Sequence, residues 1–433
     1  MTRKSKGKRF ADDESDLEEL DREGNPNARE HREQVVFPQM PRWLYRVILI
    51  LLISVAGLLV WFNLDNLTPQ NIGGWIQSKV VGMGMGDDYP VSLNNGRNIS
   101  PANFFAADKN AVVVSDTSIT VLNSTAKELT RRQHSFSNPV AKAWGQRVLV
   151  YNLGGTGFQV DSISKAGERR IAEADILAGA IAGNGRVALA TESQGYYSRL
   201  SVYGETGKPF YTYDFSEYYI THIALNRSGT RAAVAGVAAK NGAMVSAVYL
   251  FDFGSPKPLS QLTFQDNLIL SLNYGQNGAV VAVGDRLTSV ISENGDKTDY
   301  SYGSQTYIGS SVDNGRTALL LSPYANATSA SLVLLDVKGK QVASVPLGHT
   351  AVDISLYGDT TAVLLSDESI QAYTASGGVQ KGTCSGGKDA RAIALRDESS
   401  VYVLGFNEIR LENFGVPQEQ AAGNISTLPS SSK

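Results

Sequence analysis

A unit of about 40 residues recurs along most of this chain. Residues 347–376, LGHTAVDISLYGDTTAVLLSDESIQAYTAS, show it plainly. Apolar and polar residues alternate, a polar turn follows, and the alternation resumes twice more. Strand patterns fall at Val352–Leu356, Thr361–Leu365 and Ser369–Tyr373, with a fourth at Val379–Thr383. The same order starts again near residues 103, 140, 179, 221, 270, 309 and 390. The first turn of each copy lies near Lys109, Gly145, Gly185, Gly229, Gly278, Gly315, Gly358 and Glu398, a spacing of about 36 to 49 residues that averages about 41.

Four short strands per copy at one period predict a β-propeller; a sandwich does not give eight copies at one period. Inner strands of a blade are covered on both faces by neighbouring blades and must be small or β-branched. The runs AVVV, RVLV, VALA, AAVA, AVVAV, ALLL and AVLL meet that demand. The copies differ most in length between their second and third strands, where hairpin loops absorb insertions at small entropic cost. The eighth copy has about three strands before the chain turns polar at Asn413. YPVSLN (89–94) is predicted to supply the missing outer strand, so that the two ends of the chain close the ring and leave no open sheet edge. The expected fold class is therefore all-β: a β-propeller of eight blades over residues 88–413, with seven as the alternative if the first or last weak copy is not a blade.

The 347–376 copy resembles a degenerate WD40 repeat. It carries the Gly348–His349 pair and the strand–turn–strand order, but AYTA stands where the Trp–Asp dipeptide falls. That resemblance implies propeller geometry and transfers no binding residues. Over roughly residues 40–415, including LTPQNIGGWIQSKVVGMGMGDDYPV and VSDTSITVLNSTAKEL, the chain resembles a group of uncharacterised membrane-anchored proteins of Gram-positive bacteria. This second resemblance implies fold and location, and no activity.

Residues 43–62, WLYRVILILLISVAGLLVWF, form one apolar run. Twenty helical residues span about 30 Å, the thickness of the hydrocarbon core. The run is expected to cross the lipid bilayer as one transmembrane helix, with Arg46 snorkelling near its start and Trp43, Tyr45 and Trp61 at the interfaces. It is longer than a signal-peptide core and no small-x-small site follows closely, so an uncleaved signal anchor is expected. Arg29, Arg32 and Arg42 precede it, whereas only Lys79 is basic between it and residue 83. The positive-inside rule then puts the N-terminus in the cytoplasm and the propeller outside the cell. Residues 1–42 read as a solvated cytoplasmic tail, and Lys4, Lys6, Lys8 and Arg9 in it can meet anionic lipid. Residues 63–87 read as a juxtamembrane linker with a short amphipathic helix from Thr68, and 414–433 as a disordered tail.

Chemistry is sparse. The formal net charge of −3 gives no electrostatic case for a nucleic-acid partner. The single cysteine, Cys384, rules out an intrachain disulfide or a thiolate zinc site. The four histidines, His31, His134, His222 and His349, are spread over four regions, so no metal site is expected. Ser162–Lys165 matches Ser-x-x-Lys but lies in a strand or turn, where the helix-start chemistry of that motif fails. Asp214, Asp252 and Asp336 are expected to cap turns. A quinone-cofactor propeller carries a tryptophan motif in each blade, whereas only Trp144 lies in this region; no cofactor is expected.

The candidate site is FYTYDFSEYY (210–219), where Tyr211, Tyr213 and Phe215 alternate on one strand face. Such rings serve either as packing between blades or as an aromatic shelf for a sugar or peptide. The reading is a binding or scaffolding module for a protein, a peptide or a cell-envelope glycan. The alternative is an extracytoplasmic hydrolase or lyase with its site in the propeller channel. An enzyme should converge acids, His or Lys in that channel; a binder should show an aromatic or apolar patch.

Overall fold

The computed structural model describes residues 85–93, 99–162, 166–204, 207–324 and 329–415, together with Leu49, Leu51, Leu52 and Ser54. The chain divides into two compact units after Phe62. In the first unit the four described residues are helical and exposed. Among the described residues no helix is long and apolar enough to cross a membrane. The rest of the 43–62 span lies outside the described residues, as do the tail 1–42, the linker helix after Thr68 and the chain beyond 415.

In the second unit the described strands form eight antiparallel sheets of four. Blades 1 to 7 cover residues 104–133, 139–171, 176–215, 219–265, 269–301, 306–347 and 351–385 in order, each sheet following chain order from its first strand to its fourth. The first strands of successive blades lie beside one another along the axis and are the inner strands. Blade 8 takes its first three strands from 392–413 and its outer strand from Val91–Ser92, which pairs with Ile409 and Glu408. The ring is therefore an eight-bladed β-propeller closed by strands from both ends of the chain, as the short eighth copy predicted.

The opening sequence copy is blade 7. Its strands run Ala351–Tyr357, Thr360–Leu365, Ser369–Thr374 and Gln380–Ser385, each within two residues or so of its expected bounds. The first-turn residues explain why the repeat was visible. Lys109, Gly145, Gly185, Gly229, Gly278, Gly315 and Gly358 all have positive φ, a conformation that glycine adopts without strain and that makes the turn tight.

Packing follows from the apolar second strands. Val112, Val114, Leu149, Val150, Val281 and Val283 are fully buried between neighbouring sheets. Each such side chain contributes roughly 1.5–3 kcal/mol through removal from water. The inner strands have a second requirement: one edge has no strand beside it, so its amides need other acceptors. Side chains of the preceding blade provide several. Asn103 Oδ1 accepts Ala141 N at 3.1 Å, Ser198 Oγ accepts Ile220 N at 3.0 Å, and Ser311 Oγ accepts Leu356 N at 2.9 Å. Asp353 Oδ2 accepts Ile393 N at 2.8 Å, and Ser355 Oγ accepts Leu395 N at 2.9 Å.

Strand alternation defines two faces. The upper face carries the starts of the inner and third strands and the ends of the other two; the lower face carries the opposite ends. The chain enters at the lower face, where Gly86 N donates to Thr125 Oγ1 at 3.0 Å and Asp88 N to Thr125 O at 3.3 Å. At the other end Gly415 forms an antiparallel bridge with Thr383 of the outer strand of blade 7.

Candidate functional site

Tyr211, Tyr213 and Phe215 stand on the outer strand of blade 3, Pro209–Phe215. Tyr211 and Phe215 are buried and Tyr213 is half-buried. Their partners are the rings of the third strand of blade 4, Ala243–Asp252, and Phe253 just after it. Tyr211 lies 5.0 Å from Phe253, Tyr213 lies 5.0 Å from Phe251, and Phe215 lies 5.1 Å from Tyr249, centroid to centroid. The last two pairs are edge-on and the first is tilted, and such ring contacts add to the burial term. The three rings thus form the seam between blades 3 and 4, and the open aromatic surface lies elsewhere.

That surface is on the upper face of the same two blades. Tyr196 and Tyr197 begin the third strand of blade 3, and Tyr219 begins the inner strand of blade 4. They are 48 %, 45 % and 54 % exposed. The rings of Tyr197 and Tyr219 meet edge to face at 4.9 Å. Met244, 56 % exposed, caps the long hairpin whose second and third strands of blade 4 run Arg231–Lys240 and Ala243–Asp252. Lys240 pairs with Glu217 at 2.6 Å and lies 4.7 Å from the Tyr218 ring centre, so the rim of the cluster is charged. Tyr219 ends the FYTYDFSEYY stretch, but no periodicity marked Tyr196, Tyr197 or Met244. Tyr196, Tyr197 and Met244 lie beside hairpin turns, and their exposure depends on how far the hairpins project. Farther round the upper face Tyr324 and Phe406 are also exposed.

The channel wall is nearly uncharged. On the eight inner strands the Lys, His and Asp residues are Lys142, His222, Asp313 and Asp353. Asp353 is held by the Ile393 and Ile354 amides, and burial pushes its carboxyl up to about 6. Burial, with Lys142 nearby, pushes the His222 imidazole down to about 4. Burial alone lowers the Lys142 ammonium. Blades 2 and 4 thus carry the two basic groups, Lys142 and His222, and blades 6 and 7 the acids.

The other sequence candidates have local partners. His134 stacks on Phe136 at 5.3 Å, and His349 Nε2 lies 3.2 Å from Asp367 Oδ2. Among the described residues no group of three or more His, Cys, Asp or Glu is placed to hold a metal ion. Asp252 Oδ1 accepts Gly254 N, and Asp336 Oδ1 accepts Lys338 N and Lys340 N, all at 2.9 Å: both cap turns. Asp214 does not. It takes a two-pronged bond from Arg199, Nε at 2.7 Å and Nη2 at 3.0 Å, because it falls inside the outer strand opposite Arg199. Ser162 ends a strand, and Lys165 lies outside the described residues. Burial pushes the Cys384 thiol up to about 12, which leaves it a poor nucleophile.

Residues 87–410 match a family of unknown function, DUF5711. The chain belongs to DUF5711. The match begins at the lower-face entry and ends within the third strand of blade 8, so the DUF5711 region takes in both partners of the closing pair. No curated protein matches the chain. Two solved structures have a similar fold. The computationally designed Ika8 protein superposes with a TM-score of 0.55 at 16 % identity, covering 76 % of this chain and 100 % of its own. The C-terminal WD40 domain of Sif2 also gives 0.55, at 11 % identity, over 76 % and 98 % of the two chains. At these identities the likeness is one of fold. It agrees with the WD40-like strand order read in blade 7 of this DUF5711 propeller.

Proposed function

We propose that this DUF5711 protein is a membrane-anchored docking module that binds a protein or peptide on the upper face of blades 3 and 4. The observation that carries the reading is the exposed Tyr197–Tyr219 pair, next in sequence to Tyr196 and to the Tyr218 ring beside Lys240, with exposed Met244 on the same face. Tyrosine offers a large, rigid contact at low entropic cost, and an apolar centre with a polar rim is the anatomy of a protein interface. A WD40-like propeller is commonly such a module. The same rings can stack on a sugar, so a cell-envelope glycan is the second ligand class to test.

The anchor is the 43–62 run, supported by its length, its apolarity and the arginines before it. In this arrangement the N-terminus is cytoplasmic and the propeller is outside. A channel hydrolase or lyase is less well supported: Lys142, His222 and Asp353 stand on blades 2, 4 and 7, and Asp353 is already engaged by two amides.

Photo-crosslinking in cells tests the docking reading. A photoreactive residue at Tyr197 is expected to capture a discrete partner, and one at lower-face Phe210 is not. Equal capture at both positions, or none at Tyr197, overturns it. Orientation is read with a membrane-impermeant maleimide on intact cells: Ser376→Cys should label and Ser5→Cys should not.

A further inference from the structure

The upper-face tyrosines stand among acids. Glu192 N donates to Asp175 O at 3.0 Å, which joins the second strand of blade 3 to the loop before its inner strand. Ser193 pairs with Tyr196 across the hairpin, and a register shift between Thr191 and Ser193 sets Glu192 opposite Tyr197 and Ser198. Ser198 Oγ in turn accepts Ile220 N at 3.0 Å, next to the Tyr219 ring that meets Tyr197. In blade 4 Val245 pairs with Gln265, so Asp266 leaves the outer strand level with Met244. The backbone thus sets Asp175 and Glu192 beside Tyr197 in blade 3, and Asp266 across the sheet from Tyr219 in blade 4.

The cations on this face of the two blades do not balance the acids. Arg199 holds Asp214 at 2.7 and 3.0 Å and Glu173 at 3.3 Å, and Lys240 holds Glu217 at 2.6 Å. Asp175, Glu192 and Asp266 are exposed and make no ion pair with a described residue. On the lower face of the same blades the sign reverses: Arg186, Lys208, Arg227, Arg231 and Lys257 stand against Asp252 among the described residues. The acidity therefore belongs to the face that carries the tyrosines and is not a plain reflection of the chain's formal charge of −3.

Carboxylates around an aromatic centre draw in cations and turn away anions, over a screening length of about 8 Å in physiological salt. A tyrosine face also accepts an ammonium or guanidinium group by cation–π contact. A neutral glycan gains from the rings and nothing from the acids, and an acidic segment is repelled. We propose, resting on the docking reading above, that the partner segment on the upper face of blades 3 and 4 is basic. Its lysine or arginine side chains face Asp175, Glu192 and Asp266, and an apolar residue or a cationic head covers the Tyr197–Tyr219 pair.

The test uses the full-length protein in a non-ionic detergent at low salt, with protein-free micelles as the blank. The probes are three rhodamine-labelled peptides, each a leucine flanked on both sides by four lysines, four serines or four glutamates, with chitotetraose as a neutral glycan competitor. Fluorescence anisotropy should show saturable binding of the lysine peptide about tenfold tighter than the serine peptide, and none of the glutamate peptide. The lysine preference should fade as sodium chloride rises from about 50 to about 500 mM. Asp175→Lys combined with Glu192→Lys should weaken the lysine peptide roughly tenfold and strengthen the glutamate peptide. Asp175→Asn with Glu192→Gln, close in shape to the wild type, should weaken the lysine peptide a few fold and serves if the reversed pair misfolds. Equal affinity for the lysine and serine peptides, both lost in Tyr197→Ala, overturns the basic partner and leaves the docking surface standing. So does a lysine peptide that fails to bind while a photoreactive residue at Tyr197 still captures a partner. Lysine-peptide binding unmoved by either charge pair, or chitotetraose binding tighter than the lysine peptide, overturns it as well. No capture at Tyr197 removes both the docking surface and its basic partner.

Discussion

The Asp353 carboxylate of blade 7 accepts the Ile393 amide of blade 8 at 2.8 Å. It closes an otherwise open strand edge, but burial raises the carboxyl from 3.8 to about 6. An acid whose folded pKa is raised adds no penalty below its unfolded pKa and costs stability as pH climbs through the folded one. The cost above pH 6 is of the order of 3 kcal/mol. Asp353→Asn keeps an acceptor without the charge. It should be more stable than wild type above pH 6 and no more stable near pH 4, as read by denaturant melts at both values. A pH-independent difference would count against this account. Asp353→Ala, which leaves the amide without its acceptor, should destabilise at both.

His222 runs the other way. Burial first, and Lys142 second, lower it from 6.5 to about 4. A base with a depressed folded pKa contributes stability that is intact above 6.5 and lost as pH falls towards 4. His222→Asn should remove that acid-side loss, again of the order of 3 kcal/mol. Between pH 4 and 6 the Asp353 and His222 slopes oppose and partly cancel each other in the wild type. Each single variant should expose the other's slope, which a urea titration series at four pH values would show.

Ring closure rests on Ile409, fully buried opposite Val91. Ile409→Ala is expected to cost about 2–5 kcal/mol. Deleting residues 1–93 strips the outer strand from blade 8 and leaves Glu408–Asn413 as an open edge. That product should aggregate in size-exclusion chromatography, whereas deletion of 1–62, which spares Val91–Ser92, should keep a cooperative melt.

The seam and the patch should separate under mutation. Phe251 is fully buried among Tyr213, Phe215 and Tyr249, so Phe251→Ala should lose about 3–5 kcal/mol. Tyr197→Ala on the open surface should change stability by no more than about 0.5 kcal/mol. Comparable losses for both in thermal melts would mean that the upper-face tyrosines are structural.

Blade number, strand positions and ring closure were legible in the chain because each is written locally: a turn residue suited to positive φ, two-residue alternation, and a copy one strand short at one end with a strand to spare at the other. The alternation of Tyr211, Tyr213 and Phe215 also showed correctly that one face of their strand is aromatic. Whether that face meets water or a neighbour depends on Phe251 and Tyr249, which belong to the next blade. The same holds for Asp353 and Ile393, neighbours brought together only by the ring. Period and turn chemistry act over a few residues and survive in a linear reading. Contact, burial and the charge state of a channel side chain depend on how adjacent sheets are stacked, and only the closed propeller decides them.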